Sequence, residues 1–134
     1  MINFNKAMVT ILVKEDYGVC FDFYTKKLGL VPTWGDKNGP WSSLAIKEGE
    51  EHCLAIFASD AQSAYKGYIR PNTTTPSDTI TLGIPCDNVD ESYNHLKGLG
   101  VEFLGEPQTI EDWGMRIVYF RDPEGNLLSL ESNL

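Results

Sequence analysis

Phe120-Arg121-Asp122-Pro123-Glu124-Gly125-Asn126-Leu127-Leu128-Ser129-Leu130-Glu131 is the stretch from which the fold is read. Its centre, Asp-Pro-Glu-Gly-Asn, is a turn with a mechanism. Pro123 presets φ, Gly125 and Asn126 tolerate positive φ, and the Asp122 side chain can accept from the backbone ahead of it. Apolar, strand-forming runs flank it, Met115 to Phe120 before and Leu127 to Leu130 after. The unit is expected to be a hairpin that closes the fold.

Working outward, the chain repeats its punctuation. Val9, Ile11 and Val13 alternate in a strand over residues 8–14, and Asp16 stands where a helix N-cap belongs. Tyr17, Cys20, Phe21, Tyr24 and Leu28 form one helical stripe, which Gly29 terminates. The second half alternates Ile80, Leu82 and Ile84, caps at Asp87, and stripes Val89, Tyr93, Leu96 and Leu99 up to Gly100. Cap and terminal glycine are 13 residues apart in both halves, at a constant offset of 71. Further strands follow: Leu30–Trp34, Trp41–Ile46 and Cys53–Phe57 in the first half, and Val101–Leu104, Met115–Arg121 and Leu127–Glu131 in the second. Each half reads strand-helix-strand-strand-strand, and the class is α+β. A linking arm, 59–77, separates module 7–58 from module 78–132. Ser59 and Gln62 have capping-box spacing for a short helix over 60–66, and 70–77 is Pro- and Thr-rich and extended.

The turn and the repeat in register together resemble the vicinal-oxygen-chelate superfamily, that of glyoxalase I, extradiol dioxygenases, fosfomycin-resistance enzymes and bleomycin-resistance proteins. The resemblance implies two βαβββ modules in tandem, forming a curved mixed sheet around a cup. In metal-dependent members, a His lies seven residues before the cap of each module's helix, and a carboxylate lies on each module's last strand. Carried onto this chain, those positions are Val9, Ala55, Ile80 and Ser129. Two aliphatics, an alanine and a serine cannot replace the water of a divalent ion, so no metal and no other cofactor is expected. The alternative is a non-standard site for Zn, Ni, Mn or Fe. Neither His52 nor His95 supplies one, because His52 and Cys53 point to opposite faces and His95 lies off its helix's apolar stripe.

Composition limits the partners. With 134 residues, 42% hydrophobic and 22% charged, the chain is expected to form a single folded domain, long enough to bury about 65–70% of the surface it exposes when unfolded. The net charge of −8, with 11 basic residues scattered among 19 acidic ones, argues against nucleic acid. No run approaches the ~20 apolar residues of a membrane span, and a cytoplasmic location is expected. Cys20, Cys53 and Cys86 are odd in number and far apart, which suits buried thiols better than a disulfide framework. No Gly-x-Ser-x-Gly elbow or P-loop is present.

Without a metal, the remaining chemistry is aromatic. Trp34, Trp41, Phe57, Trp113 and Tyr119 suit flat or conjugated ligands by stacking and cations by their π faces. Arg116 can pair with a ligand carboxylate, and Ser129 and Glu131 share a strand face, although Glu131 lies where a terminal strand frays. Trp113-Gly114-x-Arg116 before the Asp-Pro turn is similar to bleomycin-resistance relatives, which bind their drug between two subunits. The resemblance thus implies a homodimer that sequesters a small molecule, antibiotic-like or a cationic or aromatic ligand. A glyoxalase- or dioxygenase-like lyase, isomerase or oxygenase is the second class, and a scaffold that kept only the fold is the third. An altered substrate marks the enzyme, a saturable Trp quench by an intact ligand marks the binder, and neither marks the scaffold.

Overall fold

The computed structural model describes residues 2, 3, 6–58, 78 and 80–134. The chain divides into two compact units, 1–72 and 73–134. Each unit is built on a four-stranded mixed sheet. In the first, strands β1 (Val9–Val13), β2 (Val31–Trp34), β3 (Trp41–Ala45) and β4 (Leu54–Ala58) lie in the order β1-β4-β3-β2. In the second, β5 (Thr81–Pro85), β6 (Gln108–Ile110), β7 (Met115–Arg121) and β8 (Leu127–Asn133) lie in the order β5-β8-β7-β6. The first strand of each unit pairs parallel with the last, and the other pairs are antiparallel. The predicted α+β class and the tandem βαβββ order are what the chain adopts. The expected helix over 60–66 and the extended arm lie outside the described residues.

The closing turn works as its sequence suggests, with one difference. Asp122 is buried, and its Oδ1 accepts from the amides of Glu124 and Asn126 at 2.9 and 2.8 Å. Its Oδ2 accepts from the Asn126 side chain at 2.9 Å. Only Gly125, at φ 86°, takes the left-handed conformation; Asn126 does not. The Asp122 carboxylate holds Asn126 by backbone and side chain at once, which removes the need for a second left-handed residue.

The first helix departs from a plain α stripe. Asp16 caps α1 (Tyr17–Asp22) by accepting from the Val19 amide, but Phe23–Lys27 continue as a π-helical turn. The wider turn, marked by the Leu28 amide reaching the Phe23 carbonyl at 3.0 Å, rotates the following residues. It buries Phe23, which the stripe omits, beside Tyr24 in an edge-on ring contact at 5.3 Å.

In the second helix, α2 (Val89–Gly98), the cap is Asn88 rather than Asp87, its side chain accepting from the Glu91 amide at 3.0 Å. Val89 and Leu96 are buried against β7 and β8, while Leu99 is exposed beyond the last turn. The predicted strand over Val101–Leu104 reduces to a single bridge from Phe103 to Phe120, and the second strand of this unit is Gln108–Ile110. The reason is packing: Phe103 serves as a link between Tyr93 on α2 and Phe120 on β7, at 4.7 and 5.2 Å between rings. Strand β8 does not fray at Glu131 but stays paired with β7 through Asn133. None of the described helices is long and apolar enough to cross a membrane.

Candidate functional site

Register assigns the faces of each sheet, since residues directly opposite one another present their side chains on the same side. In the first unit, Tyr17 on α1 donates to the Ser42 hydroxyl, so Ser42, with Ile56 and Ile11 opposite it along the register, faces the helix. Burial of the Tyr17 ring pushes its phenol above the usual range. The other face carries Thr10 and Leu12 of β1, Ala55 and Phe57 of β4, and Trp41 and Ser43 of β3.

Strand β2 adds two residues to that face where alternation allows one. Its register shifts between Pro32 and Trp34, so Trp34 is opposite Ser43, and the Thr33 hydroxyl also lies 2.6 Å from the Ser43 hydroxyl. This bulge brings Trp34 over Trp41, with ring centroids 5.7 Å apart and planes inclined at 53°. Gly35, at φ 81°, fixes the arrangement: a Cβ there would lie 2.5 Å from the Trp41 carbonyl oxygen. The result is a hollow of about 400 Å³ walled by Thr33, Trp34, Trp41, Ser43 and His52. Trp34 keeps 64% of its surface exposed.

In the second unit, Tyr93, Phe103 and Phe120 mark the helix side, and the opposite face carries Gly83, Tyr119, Ser129, Ile117 and Glu131. The Glu131 carboxylate folds back over Gly83, where a Cβ would lie 3.1 Å from both its oxygens, and receives a long 3.4 Å hydrogen bond from Ser129.

The candidate residues therefore separate into groups. Trp34, Trp41 and Phe57 share one face of the first unit; Tyr119, Ser129 and Glu131 share one face of the second. Trp113 stands apart, 61% exposed on the 3-10 turn Glu111–Trp113. Arg116 is on the helix side. Its Nε and Nη2 donate to both oxygens of Asp90 on α2, at 2.6 and 2.9 Å, and its Nη1 donates to Thr109. That guanidinium holds the Asp90 carboxyl below the usual carboxylate range. Arg116 is thus spent on pinning α2 to β7 rather than offered to a ligand carboxylate.

Sequence reasoning left out His52, Thr33 and Ser43 as wall residues. His52 precedes β4, and strand alternation would set it on the side of Leu54 and Ile56, so neither its place at the hollow nor the bulge that recruits Thr33 is readable from the sequence.

The positions assigned to metal ligands fare differently from their counts. Val9 falls on the helix side of β1, and Thr10 takes the opposite face. Ile80 precedes β5 and is 81% exposed; counted from the true cap Asn88, the same step of seven gives Thr81. Ala55 and Ser129 lie on the faces away from the helices. Threonine, alanine and serine do not fit a divalent cation, and within the second unit Glu131 stands beside Ser129. Among the described residues, no group of three or more His, Cys, Asp and Glu side chains gathers to hold a metal.

The family model described as "Glyoxalase/Bleomycin resistance protein/Dioxygenase superfamily" matches residues 7–130. Among curated relatives, the uncharacterized protein YetH of Bacillus subtilis is 31% identical over 120 residues, covering 87% of this chain and 89% of that one. The uncharacterized protein YraH of the same organism is 22% identical, over 93% and 96% of the two chains. Among solved structures, a glyoxalase/bleomycin resistance protein/dioxygenase from Nocardioides superposes with a TM-score of 0.75 at 20% identity, covering 99% of this chain and 87% of that chain. A lactoylglutathione lyase from Agrobacterium tumefaciens gives 0.66 at 20% identity, over 96% and 94%. At those identities the structural likeness speaks for the fold alone.

Proposed function

The chain belongs to the glyoxalase/bleomycin resistance protein/dioxygenase superfamily, and from that membership we propose that it binds or sequesters a flat, conjugated small molecule without a metal. The observation that carries this reading is the Trp34–Trp41 pair, held at 5.7 Å over a hollow of about 400 Å³. That volume lies within the range of small-molecule sites, and two indoles offer stacking surface with hydroxyls and an imidazole at hand to orient a ligand. The unsuited donor set at Thr10, Ala55, Thr81 and Ser129 supports the metal-free half of the reading. A homodimer is part of the proposal and is checked by sedimentation.

The test is saturable quenching of Trp fluorescence by a panel of flat aromatic compounds, each recovered afterwards and analysed. Binding of an intact compound at one per chain, weakened about tenfold by Trp41→Ala or Trp34→Ala, is the expected result. A compound that binds equally well to both variants removes the indole pair from the site. The Glu131 carboxylate poised beside Ser129 favours a second reading, a lyase or isomerase that uses it for acid–base work. Recovery of a chemically altered compound, with the change lost in Glu131→Gln, would establish that reading instead.

A further inference from the structure

The walls of the first unit's hollow differ in what they can offer a ligand. Indole N–H groups only donate. A neutral imidazole donates from one nitrogen and accepts at the other, and a protonated one donates from both. The Thr33 and Ser43 hydroxyls, 2.6 Å apart, share one hydrogen between them, so the other hydroxyl hydrogen remains for a third partner. None of the five wall residues is a carboxylate. The acidic run nearest in sequence, Glu48, Glu50 and Glu51, is exposed and outside the walls, where salt screens it.

This inventory bears on the charge of the ligand. An aromatic cation seated on exposed indoles with no anionic partner gains only a weak cation–π attraction. An acidic oxygen in the same place takes charge-assisted hydrogen bonds from hydroxyl and imidazole, the stronger of the two kinds of contact. We infer that the hollow selects a flat aromatic molecule bearing a carboxylate or phenolate, its ring on Trp34 and Trp41 and its oxygen toward Thr33, Ser43 and His52. This inference rests on the stacking reading above and assigns it a ligand class, setting aside the aromatic cation.

Three probes sharing one ring system separate the two ideas: naphthalene-2-carboxylate, 2-naphthylmethylammonium and 2-naphthalenemethanol, titrated by calorimetry at neutral pH and fixed salt. The carboxylate is expected to bind at least tenfold more tightly than the ammonium. Ser43→Ala is expected to weaken the carboxylate about tenfold while changing the alcohol much less. His52→Glu, at an exposed position outside the strands, is expected to fold normally by circular dichroism and to reverse the order of carboxylate and ammonium. Ammonium binding as tight as carboxylate binding, with a loss in Trp41→Ala, overturns the inference while leaving the stacking site standing. Failure of all three probes, or binding indifferent to Trp41→Ala, overturns both.

Discussion

A methyl group at position 35 has nowhere to go. Gly35 sits at φ 81°, and its missing Cβ would lie 2.5 Å from the Trp41 carbonyl oxygen and 3.0 Å from the Ser42 Cα. Both obstacles are backbone, so rotamer adjustment cannot relieve them. Gly35→Ala must therefore either strain the left-handed turn or push β2 from β3, at a cost of about 2–4 kcal/mol. Because the same turn sets Trp34 over Trp41, the variant is expected to lose stability and probe binding together. Urea unfolding combined with the fluorescence titration checks this, and an unchanged midpoint would show that the turn has slack the geometry does not reveal. Gly125 is a milder case, for it has the positive φ but open space around it.

At the scale of elements, helix caps and turns were legible because they depend on neighbours a few residues away. Asp16, Gly29, Gly100 and the Asp122 turn all act locally, and the equal spacing of Asp16 to Gly29 and Asp87 to Gly100 exposes the repeat. The errors share the opposite character. Asp87 and Asn88 are both good caps by type, and sequence cannot choose between adjacent candidates when burial of Val89 decides where the helix starts. The π-helical turn at Phe23–Lys27 and the bulge at Thr33 each add a residue to a regular period, in answer to packing that lies elsewhere in the fold. Phe103 reads as a strand residue by propensity, yet its ring bridges helix and sheet. Arg116 reads as a ligand partner because nothing local reveals Asp90, 26 residues earlier, as its mate. The cap assignment is testable. Asn88→Ala is expected to cost about 1 kcal/mol in urea unfolding, whereas Asp87→Ala, which leaves the bond to Glu91 in place, is expected to cost a few tenths at most. Equal losses would return the cap to a shared role.

For the whole molecule, the consequential question is whether a divalent cation has any place in it. The first unit presents Thr10 and Ala55 on the face where superfamily ligands are expected, and the second presents Thr81 and Ser129 with Glu131 alongside. Hydroxyls and a single carboxylate cannot repay the dehydration of a transition-metal ion, which favours imidazole and multiple anionic oxygens. The metal-free proposal therefore makes a thermodynamic prediction for the intact chain. A ligand that binds only the folded state raises stability by RT ln(1 + [L]/Kd), about 2.7 kcal/mol at a hundredfold excess over Kd. For a chain of this size that corresponds to a melting shift of roughly 10 °C. Melting in EDTA and in the presence of Zn, Ni, Mn or Fe(II) is expected to coincide within about 1 °C, far below that figure, and calorimetry is expected to give no stoichiometric heat. A shift of several degrees for one metal, abolished in Glu131→Gln, would make Glu131 the ligand that replaces the carboxylate missing at Ser129. The fold would then have moved its metal site two residues along β8 instead of giving it up.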